Sequence, residues 1–575
     1  MKLNYLLLAL CLTGWLLFNG HSTTAVHAAT FTVNSTADDP DADPGDGICA
    51  TTAGECTLRA AIEEANALSS SEPHTIVLPV GTINLTGDLP PLPENVTIIG
   101  QGESESIIRR DSGGEYRFFT VPDGNNLELT KLALENGRVG GIVSGGAIEN
   151  SGTVTITHVI FDSNYATGDG GAIVNNNTAS RLTISHSTFI NNHADFDGGG
   201  IRINNGTVIV ENSTFTQNST GFSGAALRLM SSGSLTVTNS TLSNNNANGN
   251  GGAFEVNFGN QSNAVFVNST ITGNSAGDTV GGLYRGIIQN SIISGNSTTT
   301  GPDDVRSISS LGHNLIGDTT DASSNFVATD LLDVDPLLGP LQDNGGATLT
   351  HSLQNNSPAI DAGDNTVCPV IDQRGETRDD WKCDIGAVEI RLTDDDTIAK
   401  TVSEGNVYSF GPTLVRANIV DDGGCLTGIT VTRIDAPHPE ATENIEATGR
   451  YWTLTPAGCT DGFTVTLTLP LDITPGTADK ACRWDSGLSQ WDCGTAANNS
   501  SETTGPAAMP NIVIRQNVEQ FSDWAVGNDV GPTAVTLQSF SINNTLTLLS
   551  LWGWTAVFGI LSLTLLIWAR RRTIA

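Results

Sequence analysis

The sequence predicts an all-β protein: a right-handed parallel β-helix (solenoid) with an N-terminal cap, followed by a β-sandwich and a C-terminal transmembrane helix. The first observation is a repeat in which a Phe-x-x-Asn-like tetrad precedes a Gly-Gly-Ala-Ile-like tetrad. Its Asn recurs at intervals of 22 to 29 residues, at Asn164, Asn192, Asn218, Asn245, Asn274 and Asn296. A repeat of this kind is typical of solenoids, in which each unit stacks on its neighbours.

The second observation is a period of two in hydrophobicity. Segments such as 182–185 and 235–238 alternate apolar with small polar residues, which is typical of half-buried strands. No segment between residues 90 and 390 has a convincing helical period. Short strands, Gly-rich corners and the repeat together predict coils that stack about 4.8 Å apart.

Stacking turns the repeat positions into columns. Two columns should point into the core: Leu134, Phe161, Phe189, Phe215, Leu242, Ile271 and Ile293, and Ile148, Ile173, Ile201, Leu227, Phe254 and Tyr284. A third should face outward, because it follows the second by one residue: Glu149, Val174, Arg202, Arg228, Glu255 and Arg285. The Asn column should form a hydrogen-bonded ladder along one corner, where the Gly pairs allow tight turns.

Residues 1–28 have the pattern of a secretory signal peptide. Lys2 precedes an apolar run over residues 6–18, and Val26 and Ala28 are suited to cleavage after Ala28. Residues 546–568 contain no charge and are long enough to span a bilayer, so they predict a transmembrane helix.

Three arginines follow this segment, and they predict that the tail, residues 569–575, is cytoplasmic. We therefore expect an exported, single-pass protein of the cell surface, with residues 29–540 outside the membrane. The sequence leaves open whether the helix is retained or removed by a processing peptidase.

The charge and the cysteines agree with export. A formal net charge of −35 argues against nucleic acid as a partner. Apart from Cys11, the cysteines form an even set of sequence-neighbouring pairs, which predicts disulfides in an exported chain, although their connectivity stays open. The pairs are Cys49 and Cys56, Cys368 and Cys383, Cys425 and Cys459, and Cys482 and Cys493.

Residues 29–95 are expected to form the N-terminal cap. The motif CTLRAA at residues 56–61 resembles the CSLREA domain of bacterial surface proteins, with Thr in place of Ser and Ala in place of Glu. Leu58, Ala61, Ile62 and Ala65 have helical spacing and predict a short amphipathic helix. This helix should cover the exposed edge of the first coil.

The predicted solenoid, residues 96–390, ends in three further motifs. SPAIDAG at 357–363, DQRG at 372–375 and CDIGAVE at 383–389 resemble the choice-of-anchor Q domain. The repeats themselves resemble those of chlamydial polymorphic outer membrane proteins. Together, these resemblances imply an exported, surface-anchored β-helix and no common chemistry.

Residues 395–530 predict a β-sandwich held by two of the disulfides. The recurring Gly-Gly and Asn positions stop there, and segments that alternate apolar and polar residues appear instead. The segment contains Trp452, Trp484, Trp491 and Trp524, which could stack on sugars. A place in the core is the more common role of Trp in a small sandwich, and we favour it.

Asp169 and Asp197 are the candidate catalytic pair, since each precedes a Gly-Gly unit and adjacent coils should bring them about 5 Å apart. Such carboxylates could bind Ca²⁺ or serve as the acid pair of a glycosidase. No basic residue or further acid is evident beside them in the sequence, so solvated surface acids are the favoured interpretation.

A second possible Ca²⁺ site lies near the N-terminus. Asp39, Asp41, Asp43 and Asp46 alternate like the ligands of a calcium loop, although no Glu stands at the place of the bidentate ligand. No other cofactor is expected.

Two functions stay open. The favoured one is an adhesive or structural surface protein without enzymatic activity, which binds glycans or other cell-surface components. The alternative is an extracellular polysaccharide lyase or glycoside hydrolase of the β-helix type. Uniform repeats and the small number of Lys residues favour the first, because a lyase needs a base.

Overall fold

The structure is a computed structural model of the chain. It describes residues 28–528 apart from gaps at 69–72, 112, 258–262, 321, 355–356, 379–382, 391–396, 411–414, 435–450, 472–478, 487–489, 494–498 and 503–510. The predicted signal peptide up to residue 27, the transmembrane segment 546–568 and the tail 569–575 lie outside these residues. Within the described part, no helix is long and apolar enough to cross a membrane.

The described residues are almost entirely strands and turns, which confirms the all-β class. Helix α1 (Leu58–Ala67) follows Thr57, whose side chain caps it by accepting the N–H of Ala60. The strands up to residue 353 are β1 (Thr30–Thr32), β2 (His74–Val77), β3 (Gly81–Leu85), β4 (Asn95–Ile99), β5 (Ser106–Arg110), β6 (Phe119–Val121), β7 (Asn126–Glu135), β8 (Arg138–Val139), β9 (Ile148–Asn150), β10 (Thr153–Asp162), β11 (Tyr165–Ala166), β12 (Ile173–Asn175), β13 (Arg181–Ser185), β14 (Thr188–Ile190), β15 (His193–Ala194), β16 (Ile201–Glu211), β17 (Thr214–Thr216), β18 (Ser219–Thr220), β19 (Leu227–Thr238), β20 (Thr241–Ser243), β21 (Asn246–Ala247), β22 (Phe254–Val256), β23 (Ala264–Val267), β24 (Thr270–Thr272), β25 (Ser275–Ala276), β26 (Leu283–Gln289), β27 (Ile292–Ser294), β28 (Ser297–Thr298), β29 (Gly301–Pro302), β30 (Val305–Ser310), β31 (Leu315–Ile316), β32 (Leu331–Leu332), β33 (Leu338–Gln342) and β34 (Thr350–Leu353).

Parallel pairing between coils builds a β-solenoid, which confirms the central part of the predicted fold. One large sheet contains 24 strands, and a second sheet contains eight. In the second sheet, each strand is two residues long and pairs with the equivalent strand of the next coil, except that β28 and β29 pair antiparallel. The right-handed sense of the coils stays a prediction.

The two inward columns are confirmed in the central coils. Phe161, Phe189 and Phe215 pair in register, and neighbouring rings stack with their centroids 4.5 Å apart. Ile201 and Leu227 pair in register on the other wall, and both are fully buried. Burial of these stacked apolar side chains is the main stabilising contribution to the solenoid.

Beyond Phe254, the second inward column and the outward column are predicted wrongly by one residue. Leu283, rather than Tyr284, pairs with Phe254, and Tyr284, rather than Arg285, pairs with Glu255. The reason is that the glycine pair stands one residue later in this coil: the backbone bonds place Gly282 opposite Ala253, and Val280 takes the place of the first glycine, Gly251. The large Leu side chain therefore takes the core position directly after the glycine pair.

The predicted Asn ladder is confirmed along the other corner. Asn192 Oδ1 accepts both the backbone N–H and the side-chain Nδ2–H of Asn164, each at 3.0 Å. Asn192 Nδ2 also donates to the carbonyl of Phe161 in the preceding coil at 2.9 Å. The amide bonds repeat along the stack through Asn218, Asn245, Asn274 and Asn296.

This ladder ends on a buried carboxylate. Asp304 Oδ1 accepts the backbone N–H and Nδ2–H of Asn296, both at 2.8 Å. Burial raises the pKa of Asp304 to about 7, although the N–H donors of Asn296 and Asp318 act in the opposite direction.

The raised pKa of Asp304 predicts a pH-dependent stability. Between the unfolded-state pKa of about 4 and the folded-state value, only the folded state holds the proton, so stability falls as the pH rises through this window. Asp304→Asn removes this titration, and we expect the unfolding midpoint of the variant to fall less than that of the wild type between about pH 4 and about pH 7.

Thermal unfolding followed by circular dichroism over this pH series checks the prediction. The slopes are compared rather than the midpoints, because the new amide would face the N–H of Asp318 at every pH. Equal slopes in the two proteins would show that Asp304 does not titrate in this window.

The parallel stack already begins inside the predicted cap, residues 29–95. β1 pairs with β2, and β2 pairs with β4. The helix α1 buries Leu58, Ala61 and Ile62 in the same core as the first coils, as their spacing predicts. The boundary expected at residues 95 and 96 therefore falls within the stack.

The segment after β32 returns along the side of the solenoid. Gln373 Oε1 accepts the hydroxyl hydrogen of Thr241 at 2.7 Å, and Gln373 Nε2 donates to Thr214 Oγ1 at 2.9 Å. Ala387 N–H donates to Thr270 Oγ1 one coil further, at 3.0 Å. The motifs that resemble the choice-of-anchor Q domain therefore fasten this segment to three successive coils.

Charged residues of these motifs form buried contacts with one another. Arg378 Nη1 and Glu389 Oε2 form a fully buried ion pair at 2.6 Å. Asp384 Oδ1 accepts the N–H of Asp361 at 2.8 Å, and burial together with the nearby Glu389 raises the pKa of Asp384. These groups hold the returning segment together and face no solvent.

Two antiparallel sheets follow the solenoid and share one apolar core, as expected of a sandwich. Trp452 and Trp524 are buried in this core, whereas the rings of Trp484 and Trp491 lie 5.5 Å apart in neighbouring strands. The strands are β35 (Thr397–Thr401), β36 (Val407–Ser409), β37 (Arg416–Asp421), β38 (Gly428–Ile434), β39 (Tyr451–Ala457), β40 (Thr464–Leu471), β41 (Asp479–Asp485), β42 (Gln490–Asp492), β43 (Asn499–Glu502), β44 (Asn511–Val518) and β45 (Asp523–Asn528).

Disulfide bonds join the eight cysteines other than Cys11 in the neighbouring pairs. The bonds are Cys49–Cys56, Cys368–Cys383, Cys425–Cys459 and Cys482–Cys493. The first ties the segment before α1, the second ties the returning segment, and the other two lie in the sandwich.

Candidate functional site

Each central coil turns a corner between a strand of the eight-stranded sheet and the next strand of the large sheet. β11, β15 and β18 precede this corner, and β12, β16 and β19 follow it. Parallel stacking brings the same corner positions of successive coils side by side. We call the outward side of this corner the corner surface; it comprises residues 168–169, 195–197, 202, 222–223, 228 and 255.

Asp169 and Asp197 lie on adjacent coils of this corner, as the sequence predicts. Each side chain also bonds to the backbone of the next coil. Asp169 Oδ1 accepts the N–H of Asp197 at 3.1 Å, and Asp197 Oδ1 accepts the N–H of Ser223 at 3.0 Å. Ser144 and Ser223 bond to their next coils in the same way. One oxygen of each carboxylate therefore stabilises the corner itself.

Two arginines pair with these acids, contrary to the expectation of an acid pair without basic neighbours. Arg202 Nη1 lies 3.2 Å from Asp169 Oδ1 and also contacts Asp197 Oδ2. Arg228 Nε lies 3.7 Å from Asp197 Oδ2, and Arg228 Nη1 contacts Glu255. The five residues form an acid–arginine cluster whose internal charge balance leaves less attraction for a divalent cation than an isolated acid pair would have.

The outward column is largely covered, which the sequence does not reveal. Arg202, Arg228 and Glu255 expose only 7%, 7% and 5% of their surface. Long side chains on neighbouring coils cover one another when they stand only about 4.8 Å apart. Arg202, Arg228 and Glu255, which were expected to face solvent, are therefore largely buried.

Two phenylalanines form the most exposed apolar part of the corner surface. Phe196 and Phe222 are 40% and 54% exposed, and their rings stack with centroids 5.4 Å apart and planes 2° from parallel. Gly168 precedes this pair in the column, and Gly249 follows it, as the backbone bonds show. Both ends of the stacked pair thus adjoin a position without a side chain.

Sequence reasoning missed this aromatic pair. Phe196 and Phe222 each stand two residues before the glycine-containing tetrad, in DFDGG and GFSGA. The position is aromatic in only two coils, so a search for uniform columns passes over it. The signal that could have found the pair is a large apolar residue at a corner position where the adjoining coils have glycine.

A cleft of about 540 Å³ opens at the N-terminal end of the same corner. Prolines, valines and aromatic residues line it together with charged residues, among them Pro91, Tyr116, Arg117, Val143 and Glu149. Val143 accepts the N–H of Gly168 at 2.9 Å, so the cleft adjoins the column that contains Phe196. The cleft and the aromatic pair therefore lie on the same side of the solenoid.

The predicted calcium loop is not assembled as a set of ligands. Asp41 accepts the N–H groups of Asp43 and Ala50, and Asp46 accepts the N–H of Ile48, at 2.8 to 3.1 Å. In the described ranges, the group of three acids close enough to hold a metal is instead an exposed cluster in the sandwich: Glu404, Asp421 and Asp422. That cluster includes neither Asp39 nor any other acid of the predicted loop.

Comparison with known proteins assigns no family. No family model matches the chain, and no curated protein matches it. Among solved structures, it is similar to ORF18 of Geobacillus virus E2, at 13% identity over 76% of this chain and 82% of that chain. The TM-score is 0.24, so this similarity carries no argument about fold or function.

Proposed function

We propose that this chain is an exported, membrane-anchored surface protein whose solenoid binds glycans through the corner surface. The observation that carries the proposal is the exposed stacked pair Phe196 and Phe222. The parts of these rings that stay in solvent gain nothing for folding, and contiguous apolar patches on a soluble surface mark binding sites.

The surroundings of the pair suit a sugar better than a purely apolar ligand. The apolar face of a pyranose can cover an aromatic ring, and its hydroxyls need nearby hydrogen-bonding groups. Asp169 and Asp197 supply carboxylate oxygens along the same corner, with side chains 26% and 20% exposed. Apolar contact combined with a few placed polar groups is the usual composition of a small-ligand site.

The open glycine positions give the site its shape. A side chain is missing on either side of the aromatic pair, at Gly168 and Gly249, so a ring-sized group can approach the outer ring faces. The coil spacing of about 4.8 Å is close to the length of one sugar residue, so a chain of sugars can follow the rod.

Export and anchoring are part of the proposal. The four disulfides suit an oxidising compartment outside the cytoplasm. The signal-like segment 1–28 and the apolar segment 546–568 would deliver and hold the chain at the surface. The sandwich would then act as a spacer between the membrane and the solenoid.

A glycan array probed with the purified full chain tests this function. We expect binding to a restricted group of glycans, and we expect the double variant Phe196→Ser, Phe222→Ser to lose it. Leu311→Ser is the matched control, because Leu311 is also apolar and is 57% exposed, away from this corner. Absence of binding by the wild type, or equal binding by all three proteins, would refute the proposal.

A polysaccharide lyase or hydrolase is the second candidate, since Asp169 and Asp197 do lie on adjacent coils. Release of reducing ends or of unsaturated sugars from acidic and neutral glycans would reveal such an activity. It should disappear in Asp169→Asn and Asp197→Asn if these acids carry it. Binding without cleavage would favour the adhesive function instead.

A further inference from the structure

A serine, a histidine and an aspartate lie in contact on the eight-stranded sheet, beside the corner surface. His193 and Ser219 pair in register, and His193 Nδ1 lies 2.8 Å from Ser219 Oγ. His193 Nε2 lies 3.3 Å from Oδ1 of Asp195. We propose that these three residues form a nucleophilic site that hydrolyses carboxylic esters, an activity independent of glycan binding.

The site is open to solvent. Ala194 and Thr220 are buried, so the alternation of the two-residue strands turns His193 and Ser219 outward. The side chains of His193 and Asp195 are 37% and 43% exposed. A substrate can therefore reach the serine hydroxyl without any movement of the backbone.

Tyr165 holds the aspartate and the imidazole in place. Its hydroxyl donates to both carboxylate oxygens of Asp195, each at 2.8 Å, and its ring stacks on His193 with the centroids 5.4 Å apart. Burial and the bond to Asp195 raise the pKa of Tyr165, so the phenol keeps its proton as a donor. The guanidinium of Arg138 also lies over the Tyr165 ring, 4.2 Å from the ring centroid.

The arrangement can carry out acyl transfer with water as the second reactant. Ser219 Oγ attacks the ester carbonyl while its proton passes to His193 Nδ1, and Asp195 stabilises the resulting imidazolium. The C–O bond to the alcohol breaks, and the alcohol leaves with that proton. Water then gives a proton to His193 and attacks the acyl-serine, which releases the acid and restores the serine hydroxyl.

The two ring nitrogens have exchanged roles relative to the serine-protease triad, in which Nε2 faces the serine. The mechanism requires the tautomer of His193 with its proton on Nε2, the nitrogen that lies 3.3 Å from Asp195 Oδ1. A carboxylate beside this nitrogen favours the tautomer, because it attracts the positive end of the N–H dipole.

Neighbouring residues can complete the site. Asn246 pairs in register with Ser219 in the next coil, and its amide carries the kind of N–H donor that stabilises an oxyanion. Phe222 follows Ser219 by three residues, within about 10 Å along the chain, and offers an apolar contact for an acyl group. An ester-substituted glycan would combine this chemistry with the proposed binding surface.

A fluorophosphonate probe on the purified full chain tests the nucleophile. We expect mass spectrometry to find the probe on Ser219 and not on Ser275, which occupies the same column two coils further and serves as an internal control. Labelling of both serines alike, or of neither, would overturn the proposal.

Hydrolysis of p-nitrophenyl acetate tests the base. His193→Phe keeps a ring to stack on Tyr165 and removes the proton acceptor, and Ser219→Ala removes the nucleophile. We expect either change to lower the rate by about 100-fold or more, with an unchanged unfolding midpoint, whereas Ser275→Ala retains the rate. Full activity in Ser219→Ala would mean that the contacts only stabilise the sheet.

Discussion

Replacing Asn245 with alanine is expected to destabilise the solenoid by about 3 kcal/mol or more. Asn245 Oδ1 accepts two N–H groups of Asn218, and its Nδ2 donates to Asn274 and to the carbonyl of Phe215, all at 2.8 to 3.0 Å. Alanine would leave these buried groups without partners, at about 1–3 kcal/mol for each.

The adjacent residue provides the control. Asn246 is exposed and accepts one bond, from Ser275 at 2.8 Å. Asn246→Ala should therefore change the unfolding midpoint in urea by little, because a surface substitution of this kind is usually within about 0.5 kcal/mol. Similar shifts in the two variants would show that the ladder is not a main support of the fold.

Replacing Glu255 with alanine should also cause a large loss, about 3 kcal/mol. Glu255 and Arg228 are both nearly covered, and removal of one partner leaves the other charge buried. Asp197, 3.7 Å from Arg228, can compensate only in part. This places the expected loss at the lower end of the range for a broken buried pair, which is about 3–5 kcal/mol.

An exposed pair in the same fold is the comparison. Arg109 and Glu135 also pair on adjacent coils, with the arginine side chain 43% exposed. Arg109→Ala should lower the stability by only about 0–1 kcal/mol. Leu227→Ala, which removes a fully buried side chain, should lower it by about 2–5 kcal/mol. If Glu255→Ala lowers the stability as little as Arg109→Ala does, the outward column that contains Glu255 is exposed rather than buried.

The repeat explains why so much of the fold follows from the sequence. In a parallel stack, a residue that recurs once per coil must lie above its counterpart, so the Phe and Asn columns could be identified without coordinates. Phe189 stacks on Phe161, and Asn192 bonds to Asn164, for this reason alone. The disulfides follow less directly: short separations favour neighbouring cysteines, but the sequence alone leaves their connectivity open.

The acid–arginine cluster could not be predicted in the same way. Its residues come from different columns, and Arg202 meets Asp169 across 33 residues of sequence. The period of two correctly separates inward from outward positions, but it does not show how far outward side chains cover each other. Glu255 was therefore expected in solvent, and it is buried.

Departures from the repeat also escaped prediction. The glycine pair at Gly281 and Gly282 stands one residue later than in the preceding coil, so Tyr284 and Arg285 do not take the positions that the repeat predicts. The aromatic pair at Phe196 and Phe222 occurs in only two coils. In both places the coil departs from the consensus, and the second departure is the one on which the proposed function depends.

The most direct test of the proposed function is titration calorimetry with the glycan that binds best on the array. The wild-type full chain is compared with the variant Phe196→Ser, Phe222→Ser and with Leu311→Ser. We expect the aromatic variant to bind at least about 30-fold more weakly, since a central aromatic contact contributes about 2 kcal/mol or more, and Leu311→Ser to bind like the wild type. Equal affinity of all three proteins would contradict a binding site at the corner surface.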